Sequence, residues 1–314
     1  MTKITLKNVA LPCLLMFMSS RFSTHIGIFF VKGIAKLPFL FIYFLADIFY
    51  FVVFYLVGYR KKVVLVNLKN AFPEKSEKEI KTIARNFYHH FADLMLETIK
   101  MREMTETDFS KRMVYKNTEA VNRFFEKGQS VVLLTMHYNN WEWSKGLPLV
   151  LKHRILGIYK PLHNAQFDVF MNHSREKLGI EMVQNANTLR RIMKANKNSE
   201  AVLTWLAGDQ TPPEYHTLWF MFLNQEAMFY PGPAVISKRF NHPVFFQKTE
   251  KISRGKYQTT FELLFEIPEE ASEVEIMKTY IQKMEEVIRE TPEFYLWSHK
   301  RWKHRRPASQ PLQR

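Results

Sequence analysis

The sequence predicts an α/β fold, a sandwich built on a mostly parallel sheet and preceded by one strongly apolar helix. Three observations predict it. From about residue 114 onward, short β-branched and aliphatic runs alternate with segments of helical periodicity, the pattern of strands joined by crossover helices. Several of those runs end abruptly in polar residues, as strands do where they leave a buried sheet. Near the start, residues 37–57 form a 21-residue apolar stretch with a single charge, Asp47.

Taken in order, residues 1–20 place Lys3 and Lys7 ahead of an apolar run with the length of a signal-peptide core. No small-x-small site follows, so the segment reads as uncleaved and membrane-proximal. Residues 37–57 are long enough to cross a hydrocarbon core of about 30 Å at about 1.5 Å per residue. A buried core helix is the alternative, and Asp47 is expensive in lipid unless paired. Arg60, Lys61, Lys62 and Lys69 follow directly and put the rest of the chain on the cytoplasmic side by the positive-inside rule. The chain thus divides into an anchor region, 1–58, one domain, 59–306, and a frayed tail, 307–314.

Residues 63–101 read as two helices separated at Pro73, the second opened by a Ser76/Glu79 capping box. Ile80, Ile83, Phe87, Phe91 and Leu94 approximate helical spacing and belong to the core. His89 and His90 are adjacent, point apart and are not ligands. Strands are expected at 131–136, where the apolar run breaks at His137, and at 155–159, 201–206, 244–248 and 257–267, with a last one in F-Y-L-W-S at 294–298. Helices are expected at 164–178, 189–194, 234–240 and 272–290.

Composition narrows the function. A net charge of +15 attracts phosphates, anionic lipid or acidic protein. Aromatic residues make up 15% of the chain and concentrate early, which suits lipid better than nucleic acid. The run His299-Lys300-Arg301-Trp302-Lys303-His304-Arg305-Arg306 lacks any nucleic-acid motif and reads as a membrane-surface or phosphate-binding cluster. Cys13 is the one cysteine, so neither an intramolecular disulfide nor a cysteine zinc cluster can form.

Chemistry concentrates at strand ends, where open α/β sheets gather ligands. Residues 131–143 read V-V-L-L-T-M-H-Y-N-N-W-E-W: a strand, then His137, then Glu142. An imidazole accepts a proton near neutral pH, and a carboxylate on its other nitrogen fixes the tautomer. Glu142 could serve if a helix begins just after His137. Lys160 and Asp209 follow two further strands, bringing a cation and an acid to the same crevice. An obvious third metal ligand beside His137 and Glu142 is missing.

These blocks resemble the late acyltransferases of bacterial lipid A biosynthesis, the lauroyl/myristoyl branch of the lysophospholipid acyltransferase group. The likeness runs from the apolar helix through R-K-K-V-V-L-V-N-L-K-N-A-F-P-E-K-S to W-S-H-K-R-W-K, and W-E-W and the tail look most like Bacteroidetes members. It implies that His137 is the general base and Glu142 its partner in H-x4-(D/E). Arg175 looks like the substrate-binding arginine, with Arg190 and Arg191 as rivals, and Asp209 with Gln210 looks like the family's D-Q element. The implied reaction moves an acyl chain from a thioester, acyl-carrier protein or acyl-CoA, to a hydroxyl of a lipid A precursor at the inner membrane's cytoplasmic face. Arg175 or Lys160 would hold the acceptor's phosphates, and no metal or cofactor would take part. Another phospholipid or glycolipid acceptor is the alternative, and a non-catalytic protein binding anionic lipid is a further one.

Overall fold

The computed structural model describes residues 21–162, 164–212 and 217–313, so the segment read as membrane-proximal, 1–20, lies outside the described residues. A seven-stranded sheet runs in the order β1 (Met113–Lys116), β9 (Lys256–Phe265), β8 (Val244–Ser253), β2 (Val131–Thr135), β5 (Val202–Ala207), β3 (Arg154–Tyr159) and β4 (Glu181–Gln184). Every neighbouring pair is parallel except the β8–β9 hairpin. The expected mixed α/β fold with a mostly parallel sheet is therefore the observed one.

Strand β2 is buried at every position. Val132 and Leu134 face one core cluster while Val131 and Leu133 face another. Coverage on both faces explains why Val131–Leu134 is a continuous apolar run rather than an alternating one. One layer includes α4 (Glu77–Lys100) and α10 (Glu273–Glu290); the other includes α6 (Thr118–Glu126). Both long helices begin with capping boxes, Ser76 with Glu79 and Ser272 with Glu275.

The apolar stretch forms α2 (Phe39–Phe51) and a π-helical turn, Val52–Val57, that stops at Gly58, whose φ is +62°. Only 17% of its most apolar window is buried, which rules out a core helix. One face, with Ile42, Ala46 and Val53, packs on the domain. Contacts with α4 run the length of the helix, from Tyr43 on Glu97 to the Phe54 ring against Tyr88 at 5.3 Å. The opposite face exposes Leu40, Phe41, Phe44, Ile48 and Phe51, and the preceding α1 (Arg21–Lys36) adds exposed Phe29 and Phe30. Asp47 is paired with Arg254 at 2.6 Å.

Two expectations differ from the structure. F-Y-L-W-S is not a strand: a 3₁₀ turn, Pro292–Phe294, precedes a single antiparallel bridge between Tyr295 and Tyr138. The tail is not wholly frayed either. A second sheet joins β6 (Leu218–Phe222) and β7 (Gln225–Phe229) as a hairpin, and β10 (Leu312–Gln313) pairs parallel with β6.

Candidate active site

Strands β2 and β5 are parallel neighbours with Thr135 opposite Ala207. His137 and Asp209 each lie two residues beyond that pair, so the register alone brings them to the same edge of the sheet. Their side chains meet, with His137 Nδ1 2.8 Å from Asp209 Oδ1. Asp209 is 1% exposed. Burial pushes its carboxyl pKa up, but the neighbouring His137 outweighs burial and holds it below the ordinary carboxylate range. With Nδ1 on the carboxylate, Nε2 is the nitrogen left for another partner.

The pair is braced from several directions. Tyr280, on α10, donates its hydroxyl to the Thr135 carbonyl and accepts from the Gly208 amide at 2.9 Å, tying the two strand ends together. A Cβ at Gly208 would sit 3.0 Å from the Tyr280 ring, tighter than side chains ordinarily pack. The segment after Pro292 closes the other side: Leu296 N donates to the His137 carbonyl at 3.1 Å and Asn139 N to the Phe294 carbonyl at 3.0 Å. The Trp141 ring stands edge-on to the imidazole, 5.0 Å between centroids.

Glu142 takes a different partner from the one its spacing suggests. No α-helix begins after His137. Instead Asn140 accepts from Trp143 N at 3.1 Å and caps a 3₁₀ helix, Trp141–Leu149. That helix delivers Glu142 to Arg175 on α7 (Ala165–Glu176), where Nε and Nη2 of the guanidinium grip the two carboxylate oxygens at 3.1 and 2.7 Å. Burial opposes the Arg175 charge, yet Glu142 outweighs it and raises the guanidinium pKa further. The expected His137–Glu142 hydrogen bond is thus replaced by two separate pairs, His137–Asp209 and Glu142–Arg175.

Among the rival arginines, Arg191 is held by Glu181 at 2.6 Å and Glu200 at 2.9 Å, and Arg190 is exposed. Lys160 follows β3 exposed to solvent, and Gln210 follows Asp209 half-buried. Neither hydrogen-bonds to the two pairs among the described residues.

The basic tail is not all surface. The half-buried ring of His299 accepts from Thr211 N at 3.1 Å through Nε2, and burial drives its pKa down to about 3. Arg301 is 2% exposed, donates to the Met228 carbonyl at 2.8 Å and lies over the Phe229 ring at 4.2 Å. His299 thus braces the loop after Asp209, and the Arg301 carbonyl accepts from Thr211 Oγ1 there at 2.9 Å, while its guanidinium ties the tail to β7. Sequence reasoning also passed over Tyr280 and Asn140. Tyr280 reads as one more apolar position on an amphipathic helix, whereas Asn140 carried a usable signal as a capping residue three positions before Trp143.

No group of three or more His, Cys, Asp or Glu side chains among the described residues is arranged to hold a metal. A histidine paired with a buried carboxylate and a fixed guanidinium at the strand ends of a parallel sheet suit acid–base group transfer, and the comparisons with known proteins define the class as an O-acyltransferase. The chain belongs to the bacterial lipid A biosynthesis acyltransferases, whose family profile matches residues 15–304. It is 24% identical over 253 residues to the lipid A biosynthesis palmitoleoyltransferase of Escherichia coli (strain K12), covering 78% of this chain and 79% of that protein. The lipid A biosynthesis acyltransferase of Shigella flexneri matches to the same extent.

Proposed function

We propose that this acyltransferase moves a fatty acyl chain from an acyl thioester to a hydroxyl of a lipid A precursor, with His137 as general base. The observation that carries the reading is the 2.8 Å contact of His137 Nδ1 with buried Asp209, which leaves Nε2 as the proton acceptor. Nε2 takes the hydroxyl proton as the oxygen attacks the thioester carbonyl, and Asp209 stabilises the imidazolium that forms. Collapse of the tetrahedral intermediate breaks the C–S bond. The imidazolium returns its proton to the departing thiolate, giving ester and free thiol.

Glu142 acts through Arg175 in this reading. The fork occupies Nε and one edge of Nη2, leaving Nη1 to meet a phosphate or an oxyanion. Lys160, exposed at the neighbouring strand end, supplements the charge around an acceptor's phosphates. Acyl-carrier protein is the favoured donor, because a strongly acidic partner is steered by a +15 chain.

The exposed apolar faces of α1 and α2 seat the protein on the cytoplasmic face of the inner membrane. Lys32, Lys36, Lys61 and Lys62 flank those faces and suit anionic headgroups. Since α2 packs along α4, which carries many charged residues, we read it as lying in the membrane interface rather than crossing alone.

The test is transfer by the purified protein, with acyl-carrier-protein and CoA thioesters offered separately to a lipid A precursor in vesicles containing chelator. Ester formation with the carrier-protein donor, absent from His137→Ala, is expected. Wild-type turnover by His137→Ala would overturn the mechanism, and preference for CoA would overturn the donor.

A further inference from the structure

Glu97, near the C-terminal end of α4, is wholly buried and unused in the scheme above. Among the described residues no cation is paired with it: the nearby Lys251 and Arg254 both bond to Asp93, at 3.2 and 2.6 Å. Its carboxylate instead collects neutral donors. Tyr43 Oη donates to Oε1 at 2.8 Å, while Tyr257 Oη and Asn140 Nδ2 donate to Oε2 at 2.7 and 2.6 Å. Burial pushes its pKa up, against the hydrogen bond from Tyr257. A buried carboxylate is expensive unless hydrogen-bonded, so three converging donors mark a built arrangement.

Two of the connections lead to the turn that carries Glu142. Asn140, bonded to the Glu97 side chain, is the cap of the 3₁₀ helix, and Trp143 donates its indole N–H to the Glu97 carbonyl at 3.2 Å. Glu142 lies between these two residues, so Glu97 grips the turn on both sides of it. The third connection leads to the apolar helix. Tyr43 belongs to α2, and one turn earlier Phe39 stands edge-on to the Trp143 ring at 6.1 Å. The β8–β9 hairpin makes room for that hydroxyl at Gly255, where φ is +71° and a Cβ would come 1.8 Å from Tyr43 Oη. Arg254 beside it clamps α2 through Asp47 and the Tyr43 carbonyl.

We propose that Glu97 is a positioning residue that joins the membrane-facing helix α2 to the Glu142–Arg175 fork, so that the seating of α2 sets the geometry of the site. The proposal rests on the acyl-transfer reading above. It makes α2 part of the catalytic apparatus rather than a detachable anchor, because without Tyr43 the carboxylate loses one of its three donors.

The experiment compares wild type, Glu97→Gln, Tyr43→Phe, the exchange variant Glu97→Gln/Asn140→Asp and His137→Ala. Each is measured for kcat and KM in vesicle transfer, for co-sedimentation with vesicles and for thermal stability. Glu97→Gln sets an amide against the Asn140 amide and, because it acts through the Glu142–Arg175 fork, is expected to raise KM for the phosphorylated acceptor about tenfold with kcat little changed. The exchange restores a carboxylate–amide pair in the reverse sense and is expected to recover that KM to within a few-fold. Tyr43→Phe keeps the ring packing and should raise the acceptor KM several-fold while vesicle binding stays at the wild-type level. If Glu97→Gln does not fold, Tyr43→Phe alone decides. A wild-type acceptor KM in the variants that fold, with His137→Ala inactive, would overturn this inference and leave the reaction intact. Activity in His137→Ala would instead overturn the reading beneath it.

Discussion

Replacing Asp209 with Asn changes one atom of a buried side chain and reverses the hydrogen bond on His137. The carboxylate accepts from Nδ1–H; the Asn amide can donate to Nδ1 and so drive the imidazole proton to Nε2. A nitrogen already protonated cannot take the acceptor's hydroxyl proton. Loss of the charge-assisted contact is worth about 1.5–3 kcal/mol, or roughly 10- to 150-fold in rate. An enforced wrong tautomer extends the loss toward about 10⁴-fold, as it does for histidines oriented by a buried aspartate in general. We therefore expect kcat of Asp209→Asn to fall between about 10² and 10⁴, with KM for donor and acceptor nearly unchanged. The assay is steady-state ester formation at saturating thioester, run beside a melting curve to show that the variant folds. A folded variant within threefold of wild-type kcat would refute the pairing as the basis of catalysis.

Glu142→Gln should chiefly raise KM for the phosphorylated acceptor, by about tenfold, since it loosens Arg175 rather than His137. Arg175→Lys should behave alike because an ammonium keeps the charge and loses the fork; a pure kcat defect in both would move Glu142 back to the base. Acid should destabilise the fold between pH 6.5 and 4. Burial holds the folded-state pKa of His299 at about 3 and that of His242 at about 4, both below the ordinary value of 6.5. Unfolded chains therefore bind more protons in that window, and stability is full above it and lost as pH falls. His299→Gln should flatten the fall in melting temperature, and an unchanged slope would contradict the assignment. Phe41→Glu/Phe44→Glu should weaken vesicle binding by about 10²- to 10⁴-fold, from about 1.5–3 kcal/mol per aromatic withdrawn from lipid. Wild-type sedimentation of that variant would place the membrane contact elsewhere.

Much of the fold was legible because its signals are local. The apolar run from Val131, the capping box at Ser76 and the stripe on α4 each express a rule of neighbouring residues. Strands β1, β4, β6 and β7 carried no such signal. The first two are four residues long, and the β6–β7 hairpin turns at Leu223 and Asn224, both with positive φ, without a glycine to announce it. At the site, His137 and Asp209 could be placed at strand ends from sequence, but their contact depends on β2 and β5 being parallel neighbours, which spacing along the chain does not encode. Glu142 is five residues from His137 yet turned to Arg175, because Asn140 caps a 3₁₀ helix where an α-helix was expected. Asp47 raised the question of a partner, and the answer, Arg254, lies 207 residues away on a hairpin turn.

The central claim is that the His137–Asp209 pair attaches an acyl chain to lipid A. Mass spectrometry of lipid A from cells lacking this gene, complemented with wild type, His137→Ala or Asp209→Asn at matched expression, tests it most directly. The account predicts loss of one acyl chain in the deletion, restored by wild type, absent with His137→Ala and largely absent with Asp209→Asn. Full acylation restored by His137→Ala, or lipid A unchanged by the deletion, would contradict it.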